Sequence, residues 1–428
     1  MTTSATHTFG INANRAQFIL QLAQVLLVGL TIGLLRTVVP ALAESEYGVP
    51  ADSFMLLSTF VLAFGVVKGA MNFIAGRLSE RIGRKPVLLL GWMIGLPIPL
   101  LVFWAPSWGW VVFATVLLGV NQGLTWSMTQ TIKLDITHGN QRGLTIGLNE
   151  FAGYAGVALA GIATAYLATL LGARMGLLVF GLVVMVLALV ATFAVVESLP
   201  WAHEATRQHA AGENQGPMPR YPKDVSTQPS TWEVFAIMSW RDRRLAAISQ
   251  AGLVEKFVDA LVWIIYPVFL YQQGLTLPQV GWVIGIYGVV WGASQLITGP
   301  LSDRIGRQKP NVTGMLLTGA GVALMVLGDG MLWWSFSAAI TGFGMALLYP
   351  NLSAAVADIT PPNWRGSAIG IYRFWRDLGY AIGAAGIGIV AVLFNSMTAA
   401  FWFVAVSMLF SALWLAWQGE ETHPVLKI

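Results

Sequence analysis

The chain has 428 residues, 56% of them hydrophobic and 10% charged, with a mean hydropathy of +0.67 and a formal net charge of +4. An ordinary soluble domain carries about a quarter charged residues, so the composition excludes the soluble classes and makes a lipid bilayer the solvent. There is no Cys, which removes disulfides, thiol catalysis and thiolate metal sites.

The first residues, MTTSATHTFGINANR, lack a basic region followed by an apolar stretch and a small-residue cleavage site, and read as a short cytoplasmic tail. Twelve segments then reach the roughly 20 apolar residues a membrane helix needs: roughly 18–42, 55–76, 86–104, 109–132, 143–170, 174–197, 244–270, 279–299, 310–328, 331–356, 366–392 and 397–418. Six precede a polar stretch and six follow it. The expected fold is an all-α integral membrane protein, with an N-terminal six-helix bundle (1–197), a linker (198–243) and a C-terminal six-helix bundle (244–428). The first part of the linker, rich in Pro, Gln and charge, is expected to be mobile. From Thr231, WEVFAIMSWRDRR places Trp232, Phe235 and Trp240 beside a basic run, which suits a short helix on the membrane surface or an ordinary lead-in to segment 7.

The chain repeats itself. GRLSERIGR from Gly76 returns as GPLSDRIGR from Gly299, and DITHGNQRG from Asp135 returns as DITPPNWRG from Asp358, both at an offset of 223 residues. Two motifs at one offset imply a duplicated unit. Orientation follows from Lys and Arg. Of the 24 in the chain, all but Arg36, Lys68, Arg174, Lys256, Arg373 and Arg376 fall in loops and tails on one side. The positive-inside rule puts that side, with both termini, in the cytoplasm, and the expected location is the cytoplasmic membrane.

The loop G-x-L-S-[DE]-R-I-G-R between segments 2 and 3, repeated between 8 and 9, resembles the signature loop of the major facilitator superfamily, and the six-plus-six layout matches. The resemblance implies two pseudo-symmetric bundles around a central cavity that opens alternately to either side, usually in a monomer. It also implies a cytoplasmic gate in which loop acids and basic residues latch neighbouring helix ends: Gly76, Glu80, Arg81, Gly83 and Arg84 in the first half, Gly299, Asp303, Arg304, Gly306 and Arg307 in the second. Asp135 with Arg142, and Asp358 with Arg365, are expected to tie adjacent helix ends as part of the gate. The drug-antiporter patterns of that family are incomplete here. Segment 4 has GVNQG without the antiporter Arg, and segment 5 has GYAGVALAG in place of a Gly-Pro signature.

Nine ionisable residues fall within the predicted spans: Arg36, Lys68, Glu150, Glu255, Lys256, Asp259, Arg373, Arg376 and Asp377. Facing lipid, at about 2.5–3.5 kcal/mol each, they would cost on the order of 25 kcal/mol, beyond the net stability of a typical protein. They must face protein or water and pair. Segment 11 sets Arg373, Arg376 and Asp377 on one face. There Arg373 and Asp377 can neutralise each other and leave Arg376 free, as an interbundle salt bridge or as a site for an anionic group. Glu255 and Asp259 share a face of segment 7 and are the first candidates for carrying a proton, with Glu150 and Asp377 behind them; Lys256 could instead neutralise one permanently. Lys68 could offset Glu150 or a segment 7 acid, or meet substrate. Asn121 and Gln122 are weaker substrate candidates, and Gln130, Asn149, Tyr154, Tyr349 and Asn351 weaker still.

The function these residues support is secondary active transport of a small, anionic solute by alternating access, coupled to protons. The alternatives are a proton-coupled exporter of drugs or lipophilic cations and a non-transporting sensor on a transporter fold. No Walker A, HExxH or Ser/His/Asp pattern points to an enzyme. No cofactor, metal or nucleic-acid partner is indicated; the expected partners are the solute, protons and the lipid bilayer.

Overall fold

The computed structural model describes residues 7–47, 54–210 and 229–424, with the side chains of 35–47, 54–61, 209–210 and 277–278 left out. Arg36 therefore lies outside the described side chains. The protein is all-helical. In the first half run α1 (Arg15–Tyr47), α2 (Phe54–Ile82), α3 (Arg84–Gly95), α4 (Ile98–Phe103), α5 (Trp108–Ile136), α6 (Arg142–Leu171) and α7 (Ala173–Phe193). After α8 (Leu199–Ala210) and α9 (Thr231–Ala236) come α10 (Arg243–Gln272), α11 (Leu277–Ile305), α12 (Gln308–Leu327), α13 (Met331–Ile359), α14 (Arg365–Leu393) and α15 (Met397–Gln418). All twelve predicted segments fall on helices, and among the described residues nine stretches are long and apolar enough to cross a membrane. α10 misses that criterion because every 18-residue window in it contains Glu255, Lys256 and Asp259.

Two predicted elements differ. The third span is broken into α3 and α4 at Pro97, where ring sterics and missing donors interrupt the hydrogen-bond ladder. The start of the linker, expected to be mobile, forms α8 and docks on the first bundle. The Trp201 indole donates to the Thr8 carbonyl at 3.0 Å, and His7 packs edge-on against Trp201. Residues 211–228 of the linker lie outside the described chain.

The bundles meet along two seams, α2 against α14 and α6 against α11. At one end these seams are closed backbone to backbone. A Cβ on Gly76 would stand 2.4 Å from the Gly366 carbonyl oxygen, and one on Gly143 2.4 Å from that of Gly299, so only glycine permits this approach. The face of α11 that carries Gly299 continues through Gly292, Gly288, Gly285 and Gly281, and there an added Cβ would meet nothing. This conformer is thus closed at the repeated loops, the latch end, and opens between α6 and α11 toward the opposite end.

Candidate functional site

At the latch end carboxylates cap helix N-termini, satisfying orphan backbone N–H groups and complementing the positive helix pole. Glu80, at the end of α2, accepts from the Ser367 backbone N–H and hydroxyl, both at 2.7 Å, so it caps α14 across the bundle seam. Asp303, its counterpart on α11, accepts from the backbone N–H groups of Gly143 (2.9 Å) and Leu144 (2.8 Å) and caps α6 across the other seam. Two further acids, absent from the sequence reading, act within each half. Glu197 accepts from the backbone of Arg84 and Lys85 at 2.9 Å, and Glu421 from that of Arg307 at 2.8 Å and Gln308 at 3.2 Å. Their signal is the repeat E-[ST]-x-P at Glu197 and Glu421, just past the sixth and twelfth spans. Gly83 and Gly306 make this possible: each has a positive φ (99° and 95°), and any side chain there would strike the capping carboxylate.

The basic residues of the latch pair differently from expectation. Arg84 bridges to Asp135 at 2.9 Å, and Arg307 to Asp358 at 2.9 Å and Asp303 at 2.7 Å. Arg142 does not reach Asp135; it crosses the seam to Asp358 at 2.8 Å. Arg365 does not reach Asp358, and donates instead to the Thr360 carbonyl at 3.3 Å. Arg81 and Arg304 are exposed and make no latch contact, because each follows the capping acid by one residue, about 100° around the helix. Lys133, read as a loop residue, is buried on α5 and donates to the Gln21 carbonyl of α1 at 3.0 Å.

Midway along the bundles the charged residues form one buried cluster. Asp377 on α14 is held from three directions: Asn72 of α2 donates to it at 2.6 Å, Lys68 of α2 stands at 3.7 Å, and the Arg376 Nε at 3.3 Å. The expected Arg373–Asp377 pair is absent. α2 lies close enough to supply Lys68 and Asn72, while Arg373 turns to α5 and donates to Gln130 at 2.6 Å. Lys256 and Asp259 pair at 2.7 Å on one face of α10, and the hydroxyls of Tyr287 (2.6 Å) and Tyr380 (3.1 Å) also donate to Asp259. Lys256 lies 4.2 Å from the Tyr349 ring centre and Arg376 4.6 Å from the same ring, favourable cation–π placements. Glu150 accepts from Trp126 (3.0 Å) and Asn149 (2.8 Å) through one oxygen. Tyr154 and Tyr349 hydrogen-bond between bundles at 3.1 Å, and Tyr154 packs on Trp291 at 4.2 Å, so aromatic rings of both bundles meet beside the cluster.

Several buried polar atoms here have no partner among the described residues: Nε and Nη2 of Arg373, both Nη of Arg376, Oε2 of Glu150, and both oxygens of Glu255. Buried charged groups are normally saturated; here whole groups are left open, where at the latch single atoms such as Oδ1 of Asp135 and Nη2 of Arg307 are left over. Asn121 lies apart from the cluster and donates to the Gly91 carbonyl of α3 at 2.8 Å, a packing role. Gln122 ties α5 to Thr31 of α1 at 2.6 Å. Asn351 bonds within its own helix at 2.6 Å. The residues that sequence reasoning missed, Asn72, Trp126, Tyr287 and Tyr380, are uncharged and carry no pattern of their own; only the packing of α2, α5 and α11 around α10 and α14 brings them in.

A twice-built helical membrane protein, latched at one end around a charged centre, is the architecture of a solute carrier. Residues 22–254 and 248–427 match the family model of the Major Facilitator Superfamily, and the chain belongs to that family of membrane transporters. Among curated relatives, an uncharacterized MFS-type transporter of Salmonella typhimurium is 24% identical over 69% of this chain and 66% of its own length. The multidrug resistance protein MdtH of Yersinia enterocolitica is 29% identical over 40% of this chain. The matched part spans about half of MdtH, 46% of its length. Among solved structures, the human organic anion transporter MFSD10 superposes with a TM-score of 0.77 at 20% identity, covering 94% of this chain and 99% of that one. The proton:xylose symporter XylE gives 0.74 at 16% identity, covering 96% and 98%. At these identities the two structures speak for the fold.

Proposed function

We propose that the protein is a secondary active transporter that moves a small organic anion by alternating access, coupled to protons. The observation that carries this is the pair Arg373 and Arg376: their guanidinium groups are buried at the meeting of the bundles and retain four nitrogens without a protein partner. Asp377 cannot be the counter-anion for both, since it is shared with Lys68 and Asn72. A carboxylate, sulfonate or phosphate group would satisfy the guanidiniums in fork geometry. Glu255 is the proton carrier in this reading, because among the described residues it is the buried acid with neither oxygen engaged. Asp259 is already neutralised by Lys256. The distribution of Lys and Arg supports a latch end that faces the cytoplasm, which makes the present conformer outward-open. That the similar fold of MFSD10 belongs to an organic anion transporter is consistent with this reading.

Export of drugs or lipophilic cations is the second reading. The free oxygens of Glu150 and Glu255, the rings of Trp126, Trp291 and Tyr349 gathered around Tyr154, and the relatedness to MdtH favour it.

Thermal stabilisation of the purified protein by panels of organic anions and cations separates the two, since a ligand that binds the folded state raises its melting temperature. The expected result is stabilisation by anions, with Arg376→Ala weakening affinity about 10- to 100-fold, the loss of one or two charge-assisted hydrogen bonds. Stabilisation by cations alone, unchanged in Arg376→Ala, would overturn the anion reading.

A further inference from the structure

The segment between the bundles carries a feature that transport of solute does not use. α9 and the π-turn Ile237–Arg241 lie across the α2–α14 seam, the seam that Glu80 latches. Phe235 sits among Phe73 of α2 (ring centres 5.9 Å), Phe374 of α14 (6.0 Å) and Trp375 of α14 (5.7 Å), while Phe73 and Phe374 are themselves 6.2 Å apart. One linker ring thus bridges both bundles. The Trp375 indole donates to the Ser239 hydroxyl at 2.9 Å and fixes the turn to α14. Trp232 of α9 and Trp240 of the turn both pack against Phe235 (5.9 and 5.7 Å) and are 74% and 62% exposed, and Trp232 also meets Phe73 of α2 at 6.4 Å, next to the exposed Ile74. Beside them Arg241 and Arg243 are exposed, whereas the next residue, Arg244, is buried against Asp242 and Glu420.

Exposed indoles next to free guanidiniums, continuous with a lipid-facing helix, form the surface of a segment that lies in the headgroup layer. We propose that this turn is a docking surface for anionic phospholipids of the latch-side leaflet. Arg241 and Arg243 hold the headgroups, Trp232 and Trp240 anchor at the acyl boundary, and lipid contact keeps Phe235 seated across the α2–α14 seam. Anionic lipid then stabilises the latched conformer. The lipid contact is independent of the substrate reading; only the consequence for the latch rests on alternating access.

The chain has no native Cys, so spin labels at Ile82→Cys and Ile305→Cys, exposed latch-end positions in opposite halves, report the gate directly. Distance distributions are compared in nanodiscs of phosphatidylcholine alone and with about a third phosphatidylglycerol. Basic residues at a membrane surface are attracted to anionic lipid. The expected result is a rise of at least threefold in the short-to-long distance ratio with phosphatidylglycerol. The double variant R241Q/R243Q should lose that response, its substitutions being on exposed side chains that leave the fold intact. F235A should also lose it while still retaining phosphatidylglycerol, seen as bound lipid in native mass spectra of the purified protein. An unchanged ratio in the two lipids, or an equal response in R241Q/R243Q, would overturn the lipid site. A full response in F235A would overturn its coupling to the seam.

Discussion

The latch end and the membrane centre are both built from buried charge, yet they satisfy it to different degrees. At the latch, Glu80, Glu197, Asp303 and Glu421 each accept backbone N–H groups at a helix start, and Arg84 and Arg307 each answer an aspartate. At the centre, Arg373, Arg376, Glu150 and Glu255 keep atoms with no protein partner. Single latch atoms are also left over, among them Oδ1 of Asp135 and Nη2 of Arg307, but both of these groups are paired, whereas Glu255 engages neither oxygen and Arg376 neither Nη. The better satisfied a buried network is, the more it rigidifies; one left largely unsatisfied is costly unless something else completes it. Under the function proposed above, the difference separates a device that holds a conformation from one that binds and releases. Within the centre the same contrast recurs between Asp259, held by Lys256 and two tyrosines, and Glu255 four residues earlier, whose oxygens make no hydrogen bond among the described residues.

The largest effect should come from treating a satisfied central pair as if it were free. Lys256→Met leaves Asp259 buried with only the tyrosine hydroxyls. Removing one partner of a buried ion pair costs about 3–5 kcal/mol, and the hydroxyls place this case near the lower bound. We expect a melting temperature lowered by several degrees in detergent, most of it recovered in the double variant K256M/D259N. A single variant as stable as the parent would mean that the pair is not structural, and Asp259 would rejoin Glu255 as a candidate proton carrier.

At the latch the effect should be smaller and should appear as a shift in conformation. Glu80→Ala removes a cap shared between a backbone N–H and a hydroxyl of α14, worth about 1–2 kcal/mol. Because that cap spans the seam, the loss falls on the closed state, and spin-label distances at the latch end should show the open population rising about 5- to 30-fold. Asp303→Ala should do the same at the other seam. Glu197→Ala acts within one bundle and should lower stability without moving this ratio. Arg81→Gln and Arg304→Gln, exposed and uncontacted, should change neither by more than about 0.5 kcal/mol. If Glu80→Ala and Glu197→Ala behave alike, the division between seam caps and bundle caps is wrong.

These distinctions show where the sequence was readable. The duplicated unit, the helical spans and the two seam acids were legible, because repeats and hydropathy are one-dimensional. Glycines at Gly76 and Gly143 were marked by the repeats, although their role in closing the seams emerges only from helix packing. The pairing of Arg84 with Asp135 and of Arg142 with Asp358 was not legible. Such bonds join residues far apart in the chain, and sequence proximity, which suggested Asp135 with Arg142 and Asp358 with Arg365, is no guide to them. In the cluster, i and i+4 spacing placed Arg373 and Asp377 on one face but could not foresee that Lys68 and Asn72 arrive from α2 to take the aspartate. Lys256 with Asp259 was foreseeable because both lie on one helix three residues apart.

The smallest expected change in stability, and the sharpest test of the contrast, belongs to Glu255→Gln. Nearly any other change among the buried charges breaks a bond. Here both carboxylate oxygens lack partners, so an amide of the same shape forfeits no hydrogen bond and removes a charge that is costly to bury. Stability should stay within about 1 kcal/mol of the parent or rise. If Glu255 carries the proton, the same variant should still bind solute and exchange it across proteoliposomes, yet lose accumulation driven by an imposed pH gradient. A conserved driven uptake would pass the role to Glu150, whose second oxygen is also free. A collapse in stability would mean that Glu255 holds the bundle together through contacts with Lys256 or Arg376 that form in another conformer.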